Sequence, residues 1–186
     1  DDDGSPWTEL HVLSMADGAA RAYVSGKVNV GKPGFTPDGK GLAFLAKREG
    51  DKQTSLYVLP LDGGEAQKKI ELATSISEYS FSADGGRVAL LAQEEPSAAR
   101  KKREDKGFKQ QVYEEDLPYS RVHVAKLGDS AKPQVLGVEG HVHQLEWSPT
   151  DERILVSVAP TPLVDDEYVR HRVRVVDAAD GRTLAA

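Results

Sequence analysis

Phe35-Thr-Pro-Asp-Gly-Lys-Gly-Leu-Ala-Phe-Leu45 is the stretch on which the fold turns. An aromatic, a Ser/Thr, a Pro/Asp/Gly turn and an apolar run follow one another, which reads as strand, turn, strand. Asp-Gly supplies a position with positive φ, and Pro presets its own φ. The same order returns at Phe81-Ser-Ala-Asp-Gly-Gly-Arg-Val-Ala-Leu-Leu91 and at Trp147-Ser-Pro-Thr-Asp-Glu-Arg-Ile-Leu-Val-Ser157. The equal placement of Phe35, Phe81 and Trp147 predicts that all three belong to a core.

A second pattern alternates with the first. Leu56-Tyr-Val-Leu-Pro-Leu-Asp-Gly-Gly64, Arg121-Val-His-Val-Ala-Lys-Leu-Gly128 and Arg172-Val-Arg-Val-Val-Asp-Ala-Ala-Asp-Gly181 each follow one hairpin, and Leu10-His-Val-Leu-Ser-Met-Ala-Asp-Gly18 precedes them all. Leu10 to Leu56 and Phe35 to Phe81 are both 46 positions. A period of that size with four strands per unit predicts an all-β chain, a β-propeller fragment of about three four-stranded blades plus part of another. The blades are expected near 29–72, 76–137 and 142–186, with 8–14 and 20–25 as outer strands of an earlier blade. A β-sandwich explains short strands but not the ordered alternation of two motifs. Phe81 to Trp147 is 66 positions, and the excess falls in the polar insertion 93–118. There Pro96 can open a short helix and Gly107 close it, and Arg100-Lys-Lys-Arg103 is flanked by Glu94, Glu95, Glu104 and Asp105, so a solvated segment with internal ion pairs is expected.

Charge and composition narrow the chemistry. The 186 residues carry 24 Lys+Arg against 30 Asp+Glu, a formal net charge of -6, which disfavours a nucleic-acid partner. The absence of cysteine removes disulfides, thiolate zinc sites and thiol nucleophiles. No apolar run is long enough for a membrane span. The sequence opens on Asp1-Asp-Asp-Gly4 without Met and closes inside what reads as a strand, so continuation on both sides is expected.

The repeated hairpins, each followed by a strand of the Leu-Tyr-Val-x-x-Leu-Asp-Gly-Gly kind, resemble the WD40-like repeats of TolB-like proteins and of the N-terminal propellers of prolyl oligopeptidase family serine peptidases. Val112-Tyr-Glu-Glu-Asp116 before Arg121-Val-His-Val124, and Thr161-Pro-Leu-Val-Asp-Asp166 before Arg172, are similar to segments of the peptidases. The resemblance implies a non-catalytic propeller that gates peptide access to a catalytic α/β-hydrolase domain of the same parent chain, with short peptides as substrates. The alternative it leaves open is a TolB-like protein-interaction propeller without enzymatic activity. For bacterial members it leans to a periplasmic or secreted location.

No catalytic residue is expected in this chain. It holds no Gly-x-Ser-x-Gly elbow, and Gly128-Asp-Ser-Ala-Lys132 lacks the second Gly and sits at a strand end. The substrate-binding candidates are Glu114 and Glu115. In dipeptidyl-peptidase members, paired glutamates in a Tyr-Glu-Glu context bind the free amino terminus, and two carboxylates can hold one ammonium by charge-assisted hydrogen bonds. His141 and His143 stand two apart at the start of an expected innermost strand, but no further ligand is apparent, so no metal and no cofactor are expected. His11, His123 and His171 are expected as single surface residues on strands. Asp165-Asp-Glu167 lacks the spacing of a calcium loop and is expected as a solvated loop.

Overall fold

The computed structural model describes residues 7–110, 116–128 and 132–186. Strands β1 (Leu10–Leu13) and β2 (Ala20–Val24) form an antiparallel pair. Three four-stranded meanders follow. The first is β3 (Gly31–Phe35), β4 (Gly41–Ala46), β5 (Ser55–Pro60) and β6 (Gln67–Ile70). The second is β7 (Ile76–Phe81), β8 (Arg87–Gln93), β9 (Ser120–Lys126) and β10 (Gln134–Val135). The third is β11 (His141–Trp147), β12 (Arg153–Ala159), β13 (Arg172–Asp177) and β14 (Thr183–Ala185). Every sheet pairs its strands antiparallel and in chain order. The chain is a partial all-β propeller, and each meander is a blade.

Neighbouring sheets hold together because β4 and β8 are apolar on both faces. Leu42, Phe44 and Ala46 of β4 are buried with Leu10, Tyr57 and Leu59 beneath the β1–β2 pair. The alternate residues Ala43 and Leu45 face the second blade, where they meet Ile76, Val88 and Leu90. On β8 the alternation repeats, and Ala89 and Leu91 join Val142, Trp147, Ile154 and Val156 of the third blade. The result is a row of three apolar layers between sheets, not one central core.

The hairpin motif has a specific mechanical cause. In the second blade, Ser82 Oγ donates to Asp84 Oδ1 (2.6 Å), while Arg87 N–H donates back to Ser82 Oγ (2.9 Å) and Gly86 N–H to Asp84 Oδ1 (2.9 Å). Thr36 and Asp38 repeat this pattern in the first blade, and Gly39 and Gly85 take the positive φ that closes each turn. These bonds hold the Asp38 and Asp84 carboxyls below the usual carboxylate range, with the hydroxyl bond the largest cause in each. The third copy has Thr150 where the others have Asp, and its contacts lengthen to 3.4 Å. Ser82→Ala, at a site only 2% exposed, is therefore expected to destabilise the chain by about 1–3 kcal/mol. Ser148→Ala should have a smaller effect, and equal losses in urea unfolding of the two variants would contradict this account of the turn.

The placement of Phe35 and the conformation of residues 165–167 depart from expectation. Trp147 is buried and Phe81 half-buried, but Phe35 is 62% exposed. Its ring lies on the side of β3 facing away from the second blade, and the β1–β2 pair covers β4 and β5 without reaching the innermost strand. Residues 165–167 are not a loop either: they lie in helix α2 (Val164–Val169), and Asp166 is buried. Three acidic residues in its first turn favour a helix there by opposing the dipole. The other helix, α1 (Ala98–Asp105), starts after Ser97, whose hydroxyl caps Arg100 N–H, and buries no residue. Gly107 beyond it adopts φ +88°.

Candidate functional site at the blade ends

In each blade the innermost strand begins beside the end of the second strand: Gly31 pairs with Leu45, Ile76 with Ala92 and His141 with Ala159. The connections 47–54, 94–119 and 160–171 leave from that same end. One face of the propeller therefore gathers all three connections and the mouths of the innermost strands.

A register slip recurs there, between Gly31 and Gly34, between Ile76 and Glu78, and between Val142 and Gln144. Such a bulge leaves one residue without a cross-strand partner and re-aims its side chain. In the third blade that residue is His143. Its ring centroid lies 4.5 Å from that of His141. His141 Nδ1 accepts the Ser120 N–H (3.1 Å), so its neutral ring carries the hydrogen on Nε2. His143 Nδ1 lies 3.6 Å from Glu167 Oε1 of α2. Its Nε2 is the one buried side-chain nitrogen or oxygen without a hydrogen-bond partner among the described residues.

The surrounding groups fix this pair. Tyr119 lies 6.1 Å from His141, ring to ring, and Arg121 stacks on Tyr119 at 4.7 Å. Arg121 also donates to Glu94 Oε1 (2.7 Å) and to the Gly140 carbonyl (2.5 Å). Asp166 anchors α2 by accepting from Thr161 Oγ1 (2.7 Å) and pairing with Arg170 (3.3 Å). His171, just before β13, bonds through Nδ1 with the Glu167 carbonyl oxygen (2.9 Å) and is exposed. His123 is half-buried on β9, not at the surface, and burial lowers its pKa. His11 is exposed on β1 beside Glu9. Among the described residues, no three His, Cys, Asp or Glu side chains form a cluster able to hold a metal ion.

Burial above all, with His143 and Arg121 adding like charge, pushes His141 down to about 4. Its folded pKa lies below the unfolded value near 6.5, so folding favours the neutral ring. That contribution is complete above about pH 6.5 and is lost as pH falls towards about 4. Imidazole NMR titration should find His141 neutral at pH 5.5, and a midpoint near 6.5 would sink the assignment. The corresponding connection of the first blade is closed by a different network. Asp51 accepts from Tyr57 Oη (2.5 Å), from Arg48 N–H (2.9 Å) and from Lys68 Nζ (2.9 Å). The Tyr57 bond, first among these, holds Asp51 at about 2.

Glu114 and Glu115 lie outside the described residues. The chain re-enters description at Asp116, with φ +54°. The Asp116 carboxylate pairs with Arg103, and its carbonyl accepts from Arg100 (3.1 Å). Three residues later Tyr119 joins the His141 group. Sequence reasoning missed Tyr119, Arg121 and Glu167. The histidine spacing was visible, but nothing local signals the residues that converge on it from β9 and α2.

Along the innermost strands, Lys32 Nζ pairs with Glu78 Oε1 (3.0 Å), and Glu78 Oε2 accepts the Leu145 N–H (3.1 Å). Tyr79 Oη lies 2.8 Å from both the Lys32 and the Ala43 carbonyl oxygens and shares its single hydrogen between them, and burial raises its pKa. An open cleft of about 400 Å³ lies here, lined by Lys32, Gly34, Glu78, Tyr79 and Ser80.

No protein-family model matches the sequence, and no curated protein matches it. Solved structures do. TolB from Acinetobacter baumannii is similar over 94% of this chain and 36% of its own, at 16% identity and TM-score 0.61. The acylaminoacyl peptidase of Pyrococcus horikoshii is similar over 95% of this chain and 28% of its own, at 16% identity and TM-score 0.60. An oligogalacturonate lyase solved with manganese is similar over 95% of this chain and 45% of its own, at 14% identity and TM-score 0.67. At these identities the likeness is one of fold, shared by proteins with different activities. The chain spans 36%, 28% and 45% of the lengths of these three structures, so it covers about half of each or less.

Proposed function

We propose that this chain is the non-catalytic propeller region of a prolyl oligopeptidase-like serine peptidase, shaping and gating the path of short peptides to a hydrolase domain outside these 186 residues. The observation that carries the reading is the convergence of the 94–119 and 160–171 connections on one propeller face. The acidic Glu114-Glu115 segment belongs to the first of these, and its return is held to α1 through Asp116. In this reading the two carboxylates hold the ammonium of a peptide's amino terminus. The propeller fold of peptidases such as the acylaminoacyl peptidase and a Mycobacterium tuberculosis puromycin-hydrolyzing peptidase supports it.

Purified residues 1–186 should hydrolyse no aminoacyl or peptidyl chromogenic substrate, whereas the full-length gene product should. Activity of the full-length product should be blocked by a serine-directed inhibitor. A full-length product without such activity would defeat the reading. A TolB-like interaction propeller is the second reading, favoured by the larger share of TolB chains that this chain spans, 36% and 54% in the two solved examples. Inertness towards peptides, together with stable capture of a protein partner, would decide for it.

A further inference from the structure

The tripeptide Lys-Arg-Glu occurs twice in the sequence, at Lys47-Arg48-Glu49 and at Lys102-Arg103-Glu104, and these two copies hold its two Lys-Arg pairs. Both lie in the connection between the second and third strands of a blade, the first in 47–54 and the second on helix α1 of 94–119. Their local chemistry is the same and their settings are opposite.

In the first blade the copy is tied to the sheet. Arg48 N–H donates to Asp51 Oδ2 (2.9 Å), and the Arg48 carbonyl accepts the Asp51 N–H (2.9 Å). The Arg48 guanidinium donates to the Ala66 carbonyl (3.2 Å) and lies over the Tyr57 ring at 5.5 Å. Asp51 is itself bound by Tyr57 of β5 and Lys68 of β6, so freeing the Arg48–Glu49 bond means undoing contacts with both strands. In the second blade the ties are local. Lys101, Lys102 and Arg103 are exposed, and α1 buries no residue. The Arg103 carbonyl accepts from the Lys106 (3.1 Å) and Phe108 (3.0 Å) N–H groups at the end of its own helix. The ion pairs are Arg100–Glu104 (2.8 Å), Lys101–Glu95 and Arg103–Asp116, and exposed pairs of this kind hold a segment weakly. Even a good isolated helix is marginal in water below about 12–15 residues. With eight residues and no buried face, α1 opens locally at little cost.

We propose that the Arg103–Glu104 bond is a proteolytic processing site, cut to give a two-chain propeller that stays folded. The partner is a serine endoproteinase whose subsites carry carboxylates. They take the cations of Arg103, Lys102 and Arg100, the first, second and fourth residues before the bond. Such an enzyme binds its substrate as an extended strand, a shape open to α1 once its few local bonds break. Water adds across the Arg103–Glu104 peptide bond, leaving a carboxylate on Arg103 and an ammonium on Glu104. The blade outlasts the cut, because β8 and β9 stay paired from Arg87–Lys126 to Gln93–Ser120 between β7 and β10. A nucleic acid suits the basic run poorly, since Glu95, Glu104 and Asp116 already neutralise Lys101, Arg100 and Arg103. The inference does not depend on peptidase activity.

The twin copies supply an internal control. The full-length gene product is treated with a subtilisin-type endoproteinase specific for paired basic residues, and fragment masses give the rate at each Lys-Arg pair. Cleavage after Arg103 should run at least about 100-fold faster than cleavage after Arg48, because it tracks the population of the opened segment. Equal rates, or a faster cut after Arg48, overturn the proposal. The nicked product should elute as one particle and keep its unfolding midpoint within a few degrees. Separation of the two chains, or a large fall in the midpoint, makes α1 an entry to degradation and overturns the reading as a processing site. The double variant Lys102→Gln/Arg103→Gln should abolish the cut and leave the midpoint of the uncut protein unchanged. Cutting of that variant elsewhere in 94–110 at the original rate overturns recognition of the basic run. N-terminal sequencing of protein isolated from its native host should find a chain that begins at Glu104, and the absence of that chain overturns the use of the site.

Discussion

Trp147→Ala is expected to destabilise the chain by about 3–5 kcal/mol, whereas Phe35→Ala, at the equivalent place in the repeat, should change stability by roughly 0.5 kcal/mol. Trp147 is only 3% exposed and lies in the layer formed with Leu145, Ile154 and Val176. Arg87 covers its ring at 5.0 Å and is itself paired with Glu152, and the indole N–H donates to the Asp151 carbonyl (3.2 Å). Truncation leaves a cavity between two sheets and an unfilled place beneath the guanidinium. Phe35 fills no such layer in this chain. For a domain of this size the Trp147 loss corresponds to a melting-temperature fall of roughly 10 °C. Equal falls for the two variants would mean that position in the motif, not contact with the preceding blade, decides the energetics.

Glu114→Ala or Glu115→Ala in the full-length product is expected to lower kcat/KM for substrates with a free amino terminus by roughly 30-fold or more. Removing one partner of a buried, hydrogen-bonded charge pair costs about 2–5 kcal/mol, and a tenfold change is about 1.4 kcal/mol. N-blocked substrates should respond far less. That contrast separates recognition of an ammonium from a folding defect, and equal losses on the two substrate types would reduce the pair to structural residues. The unchanged unfolding midpoint of each variant is the companion measurement.

The fold was legible because its signal is local. Each Ser/Thr-x-Asp-Gly turn closes through bonds among residues at most five apart, so the residues that carry the motif also make the structure. The exposure of Phe35 was not legible, since it depends on what packs against β3 from a distant part of the chain. Helix α2 escaped notice because six residues are too few to display a helical period, although its acidic first turn was a signal. At the candidate site, His141 and His143 stood out by spacing alone. The bulge that re-aims His143 is set by pairing with β12, while Tyr119 and Arg121 reach the site from the start of β9 and Glu167 from α2, so no stretch of sequence contains the arrangement.

The connection between the second and third strands runs 47–54 in the first blade and 94–119 in the second, 8 against 26 residues. Chain-closure entropy grows only with the logarithm of length, so the longer connection costs about 1 kcal/mol more than the shorter. The strands it joins are clamped in full register from Arg87–Lys126 to Gln93–Ser120, and α1 buries nothing that the blade needs. A propeller of this design can lengthen or rewrite the rim of the face that carries these connections at almost no thermodynamic penalty. Change in that rim is thereby uncoupled from change in the blades, so the connections can differ in length and sequence while the stacked sheets stay the same.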